Sequence, residues 1–379
     1  MKKVLATILA LVMALSVTTM AWADDVAEID GTGYATLQGA VDAATNGQTI
    51  VLQDNVTLTA SLNVAVGKTV TLDLNSYKIT ADMNGPHMIC NAGNLTITDS
   101  SANKTGEIAK IGAETNFGYV IENHGTMTLD RCKISSTSVK SSAIENGWYT
   151  ASANTAGTSC TMTIQNAEVV SVNADGGLYT VKNDDYGVMV INGGVFTNSV
   201  AGAGAVLNWN DLTINGGTFT GASAVRTLKS GSSDFETGKS QIKNGTFNGG
   251  IDTLDGYKTG ITIAVTGGTF STDVTGYLGE GKVLQKNGDT YTAVTNSAIT
   301  SGTYTSEPTV PSGYKATKND DGTWTVSKVS YYYYQPTTDT KTTDTKGSPK
   351  TFDAGIALYV GMALTSAAGV AFVGKKRED

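Results

Sequence analysis

The chain has 379 residues, 44 of them glycine, with 16% charged residues and a net charge of −8. An acidic balance with no Lys/Arg cluster before the C-terminal tail excludes nucleic acid and anionic lipid as the expected partners. Three cysteines, Cys90, Cys132 and Cys160, leave an odd thiol under any pairing, so no disulfide framework is read and all three are expected as small buried residues.

Lys2 and Lys3 precede an uncharged apolar run from Val4 to Val17, and the small-residue site Ala21-Trp22-Ala23 stands before Asp24. This is the order of a cleaved secretory signal peptide, residues 1–23. Next, Thr36 precedes a Leu37, Ala40, Val41, Ala44 stripe that stops at Gly47, which predicts a short amphipathic helix capping the first strands of the domain and covering their exposed edges.

Beyond this helix the chain repeats itself. The phrase Leu212-Thr-Ile-Asn-Gly-Gly-Thr-Phe219 recurs from Met189, Met162, Met127, Leu95 and Val70 on one side, and from Ser240 and Ile263 on the other. Successive phrases start 23 to 35 residues apart, which suits one solenoid turn with loops of variable length. Stacked, they give an apolar column Leu72, Ile97, Leu129, Ile164, Ile191, Ile214, Ile242, Val265. A second apolar column reads Tyr77, Ala102, Ile134, Val169, Phe196, Phe219, Phe247, Phe270. Between them a polar position is followed by a bend that ends in Gly194, Gly217, Gly245 and Gly268. Apolar residues two apart, a glycine-rich bend and another apolar residue describe strand, turn and strand. Eight such turns at about 4.8 Å would extend roughly 40 Å. Ahead of the phrase, Asn91, Asn123, Asn146, Asn183 and Asn208 end short apolar strands and predict an asparagine ladder.

These columns resemble the right-handed parallel β-helix of the pectin-lyase-like superfamily, and more closely the anchored β-helical surface proteins of Gram-positive gut bacteria. The resemblance spans about residues 33–326 and implies an all-β solenoid, with its handedness taken from the family. The fold hosts lyases, hydrolases, adhesins and spacers, so activity has to be argued from a site. Asp184-Asp185 and Asn123-His124-Gly125 resemble the aspartate pair and Gly-His-Gly segment of polygalacturonases, but the Asn-Thr-Asp and Arg-Ile-Lys motifs are missing. His124 therefore reads as an exposed turn residue, and Asp184 and Asp185 as a solvated turn, with a catalytic or Ca²⁺-binding role as their alternative.

Glu122, Glu145 and Lys182 fall in one column on consecutive turns, the two carboxylates about 5 Å apart. That separation suits a retaining glycosidase, and with Asp185 it forms the catalytic alternative. The alternation of charge reads equally as an ordinary neutralised ladder. Just beyond the asparagines, Trp148, Tyr149, Tyr186 and Trp209 read either as an exposed aromatic row for stacking on sugars or as rings that only cover the loop bases. No cofactor and no metal are expected.

From Gly268 to Thr292 the chain is echoed by Gly302 to Val326, which predicts a duplicated closing hairpin. The expected organisation is a β-helix with cap over 24–293, a closing unit over 294–330 and a Thr/Asp/Lys-rich linker over 331–347. A tail over 348–379 ends the chain. In that tail Ser348-Pro349-Lys350-Thr351-Phe352 resembles a sortase sorting signal, with Phe352 where the signal carries glycine. The uncharged stretch 354–374, followed by Lys375, Lys376 and Arg377, is long enough to span a membrane with its basic end cytoplasmic. Cut or uncut, the tail predicts a protein held at the surface of a Gram-positive cell by sortase attachment or by its own span. Its expected role is adhesin, glycan-binding or structural module, with a polysaccharide lyase or hydrolase as the alternative. The expected partners are glycans or a host or neighbouring-cell surface.

Overall fold

Each turn of the chain lays down three short strands separated by corners, and each strand pairs in parallel with its counterparts in the turns before and after. This is a computed structural model, and it describes residues 25–112, 117–137, 140–148, 153–154, 157–172, 179–229 and 237–330. The leader, the linker, the sorting residues Ser348 to Phe352 and the apolar span lie outside the described residues. Among the described residues, no helix is long and apolar enough to cross a membrane.

The first face runs from Gln48–Leu52 through Thr69–Asp73 and Asn94–Thr98 to Lys239–Ile242 and Thr262–Val265. Its interior column is the expected Leu72-to-Val265 series, extended one turn earlier by Ile50. The second face carries Val56, Ile79, Ile108, Ile134, Val169, Phe196, Phe219, Phe247 and Phe270 in register. Its four phenylalanine rings stack at 4.9–5.0 Å with interplanar angles of 5–8°.

Tyr77 and Ala102 do not belong to this column; Ile79 and Ile108 occupy their places. The early corners are longer than the glycine corners. Asn75 and Ser76 take φ of 46° and 70°, and the buried Asp99 carboxylate accepts from the backbone N–H groups of Ser76, Ser101 and Gly106. Fixed spacing within the phrase therefore lands short of the next strand. In the later turns Gly194, Gly217, Gly245 and Gly268 take φ of +111° to +134°, and a Cβ on Gly194 would stand 2.3 Å from the Ala167 carbonyl oxygen.

The third face consists of Leu62–Val64, Ile89–Asn91, Ile121–Asn123, Ile144–Asn146, Tyr179–Asn183, Gly204–Asn208 and the ends of Thr218–Thr227 and Thr246–Asp252. Its asparagines form the ladder. Each Nδ2 donates to the next Oδ1 at 2.7–2.8 Å from Asn91 through Asn208, and Asn208 passes the chain to Ser240 Oγ at 3.0 Å.

The helix Leu37–Ala43 starts on Thr36, whose Oγ1 accepts from the Gly39 N–H, and buries Leu37, Ala40 and Val41. Its Gln38 side chain both donates to the Asn63 carbonyl and accepts from the Asn63 N–H, so an amide stands in for a neighbouring strand at that edge. The edge of Gln48–Leu52 is closed by a hairpin of Ala27–Ile29 and Thr32–Tyr34 that sequence reading did not anticipate. At the other end the pairing turns antiparallel. Thr269–Phe270 meets the hairpin Lys282–Asn287/Thr290–Thr295, and Gly302–Tyr304 meets the hairpin Tyr314–Lys318/Trp324–Lys328 in the same way.

Candidate functional site

Three-residue strands of the form apolar-x-Asn point their ends inward and their middle residue out. On the third face this places Cys90, Glu122, Glu145, Lys182, Leu207, Arg226 and Asp252 in one outward column.

Glu122 sits in a recess with 19% of its side chain exposed. Its Oε1 is 3.4 Å from His87 Nε2 and 3.9 Å from His124 Nε2, and the Cys90 thiol is a neighbour in the same column. His87 Nδ1 accepts the Tyr119 N–H at 3.0 Å, so the ring is uncharged with its proton on Nε2, facing Glu122. Burial holds the His124 imidazole below its ordinary pKa, so it too is neutral at pH 7. Burial likewise raises the Glu122 carboxyl and pushes the Cys90 thiol up to about 11, which removes Cys90 as a nucleophile. Each imidazole backs onto an aromatic ring. His87 stacks on Tyr119 at 5.1 Å and 14°, and His124 on Trp148 at 3.7 Å and 3°. Phe117, largely exposed, meets Tyr119 edge-on at 4.9 Å.

One turn on, Glu145 is sealed, with 1% of its surface exposed. Tyr119 Oη donates to its Oε1 at 2.9 Å, Lys182 Nζ lies 3.7 Å away, and Lys182 makes a closer ion pair with Asp184. One ammonium cannot neutralise two buried carboxylates. Asp184 takes it, and burial holds the proton on Glu145, whose pKa rises to about 9.

Asp184 and Asp185 are not exposed turn residues: they are 4% and 2% exposed. The turn is pinned from the preceding coil, where Trp148 N–H donates to the Asp185 carbonyl and the Asn146 carbonyl accepts from Asp184 N–H. Beyond Lys182 the face closes. Leu207 packs under Tyr179, Leu228 and Trp209, and Arg226 grips Asp252 through Nε and Nη2 at 2.5 and 3.0 Å.

The structure brings Glu122, Glu145, His124 and Trp148 together. It sets Trp209 apart on the apolar cluster, where Tyr257 meets it edge-on at 6.1 Å. Tyr186, half-buried at φ 61°, turns the Asp184–Gly187 corner, and Tyr149 lies outside the described residues. Trp148, Tyr186 and Trp209 are half-buried and not open platforms, because Trp148 spends one ring face on His124 and Trp209 covers Leu207. The indole Nε1 atoms of Trp148 and Trp209 are buried without a hydrogen-bond partner. Sequence reading missed His87, Tyr119 and Cys90. The available signal was rarity, since the chain holds only two histidines and they flank neighbouring strands of the ladder.

Among the described residues no three His, Cys, Asp or Glu side chains converge as a metal site. No family model, curated protein or solved structure matches the chain.

Proposed function

We propose that the chain is a right-handed parallel β-helix of the pectin-lyase-like type, held at the surface of a Gram-positive cell by its tail, and that it binds glycans without cleaving them. The observation that carries the reading is the Glu122 recess, a half-buried carboxylate between a His87–Tyr119 wall and a His124–Trp148 wall. A sugar offers an apolar ring face and a rim of hydroxyls, and aromatic walls beside a carboxylate suit both. Catalysis by a carboxylate pair needs two groups within reach of substrate, and Glu145 and Asp185 are both closed off. The test is glycan-array binding by the intact protein and by Trp148→Ala and Trp209→Ala. A loss of binding confined to Trp148→Ala is expected, and binding unchanged in both would remove the aromatic-wall reading.

A second reading, polysaccharide hydrolase or lyase, draws on one observation: a sealed carboxyl that keeps its proton stands in register beside a more exposed one. Release of reducing ends or unsaturated uronates from a broad polysaccharide panel would establish it.

A further inference from the structure

We infer that the Glu122 recess is a receptor for an organic ammonium group, and that the glycan it takes is a hexosamine polymer carrying free amines. The inference rests on the glycan-binding reading and specifies its ligand.

Most of the buried and half-buried carboxylates around the outward faces are balanced. Asp184 has Lys182, Asp252 has Arg226, and Glu107 has Lys78 at 2.8 Å. Asp99 has three backbone N–H donors, and Glu145 keeps its proton. Glu122 differs from all of these in having no cation beside it among the described residues. Its neighbours are two neutral imidazoles and a thiol, and among the described residues no lysine or arginine reaches it. Lys182, two strands along the same column, is already engaged by Asp184. A carboxylate four-fifths removed from water without a counter-charge is costly to keep, and an ammonium from solution would relieve that cost.

The walls fit such a guest. Neutral imidazole and indole faces attract a cation through their π-systems and do not repel it as imidazolium would. The recess remains open, with side-chain exposures of 25% at His87 and 22% at His124. A free-amine hexosamine supplies both parts at once, an ammonium for Glu122 and a ring face for the aromatic pair. The N-acetylated sugar supplies only the second. The chain's net charge of −8 favours the approach of a polycation.

The test compares a glucosamine tetramer, its fully N-acetylated counterpart and tetramethylammonium. Each is titrated calorimetrically against the full-length protein and its Glu122→Gln variant, at a pH where the amine is charged. Glutamine keeps the shape and an acceptor for His87, and an unchanged circular dichroism spectrum and melting curve would show that the fold is intact. The expected result is at least tenfold tighter binding of the free-amine tetramer than of the acetylated one, a preference that weakens with salt and vanishes in Glu122→Gln. Equal affinity for the two tetramers, or a preference that survives in Glu122→Gln, overturns the ammonium assignment and leaves glycan binding standing. Binding of tetramethylammonium with neither tetramer overturns the amino-sugar assignment. Binding of nothing overturns the inference, while the glycan reading is judged separately on the array.

Discussion

Replacing Asn146 with alanine tests what the asparagine ladder contributes. Asn146 accepts from Asn123 Nδ2 at 2.7 Å and donates to Asn183 Oδ1 at 2.8 Å and to the Val188 carbonyl at 3.3 Å, all inside the solenoid. After the change Asn123 Nδ2 keeps the carbonyls of Gly125 and Thr161, but Asn183 Oδ1, in a fully buried residue, loses the donor it has. One stranded buried acceptor costs about 1–3 kcal/mol, and the lost bonds and small void bring the total to about 3–5 kcal/mol. The control is Asn192, which makes the same amide-to-amide bonds on the exposed surface, to Gln165 at 2.8 Å and from Asn215 at 2.7 Å. Water replaces those partners, so Asn192→Ala costs below about 1 kcal/mol. Urea titration followed by circular dichroism measures both, and hydrogen exchange at the flanking strands covers the case in which a repeat protein unfolds in stages. Equal losses for the two variants would refute the idea that burial, and not the bond itself, sets the value of each rung.

Three further outcomes rest on the same geometry. Glu145 binds its proton more tightly folded than unfolded, so between its ordinary value of 4.5 and about 9 the unfolded chain releases a proton the fold retains, and stability falls as pH rises through that window. Glu145→Gln keeps the Tyr119 contact and should flatten the dependence; urea midpoints that fall in parallel for variant and parent would contradict this. Phe219 lies between Phe196 and Phe247 at 4.9 and 5.0 Å, so Phe219→Ala should cost about 3–5 kcal/mol and Phe219→Leu about 1–1.5, read from thermal melts. Gly217→Ala places a Cβ 3.1 Å from the Gly194 carbonyl oxygen at φ +111° and should cost about 1–3 kcal/mol. Gly288→Ala, at φ +61° in open space, should cost about 1 kcal/mol or less, and the reverse order would refute the steric account of the corners.

What could be read in the sequence was whatever the solenoid repeats. The Ile214 and Phe219 columns, the asparagine rungs and the cap on Thr36 each reflect one local preference used again and again, or one unmistakable capping pattern. Errors arose where a turn departs from its neighbours. The repeated phrase puts Tyr77 and Ala102 where Ile79 and Ile108 stand, because the Asn75–Ser76 and Asp99–Gly106 corners carry extra residues. The site was harder still, because its second wall comes from segments outside the repeat. His87 and Tyr119 approach from loops that precede their strands, and contacts across one turn bring them together: the Tyr119 N–H donates to His87 Nδ1, the Met88 N–H donates to the Tyr119 carbonyl, and the two rings stack. Asp184 and Asp185 looked solvated because their partners, Lys182 and Trp148, are identified by geometry and not by spacing.

The register of the solenoid also explains why an unusual charge stands at Glu122 rather than elsewhere. Parallel stacking sets outward residues about 4.8 Å apart, so a column tolerates opposite or neutral neighbours and resists like charges. From Glu145 onward the third face obeys this: a protonated acid, a lysine held by Asp184, a leucine under Tyr179, and an arginine held by Asp252. Only the Glu122–Glu145 step sets two carboxyls side by side. The fold settles that conflict by sealing Glu145 under Tyr119 with its proton, and Tyr119 in turn fixes the neutral His87 that faces Glu122. A column needing only stability would carry lysine at one of the two positions. Retaining both acids leaves one carboxyl without a cation, recessed and flanked by rings, which is the arrangement a cationic ligand would complete.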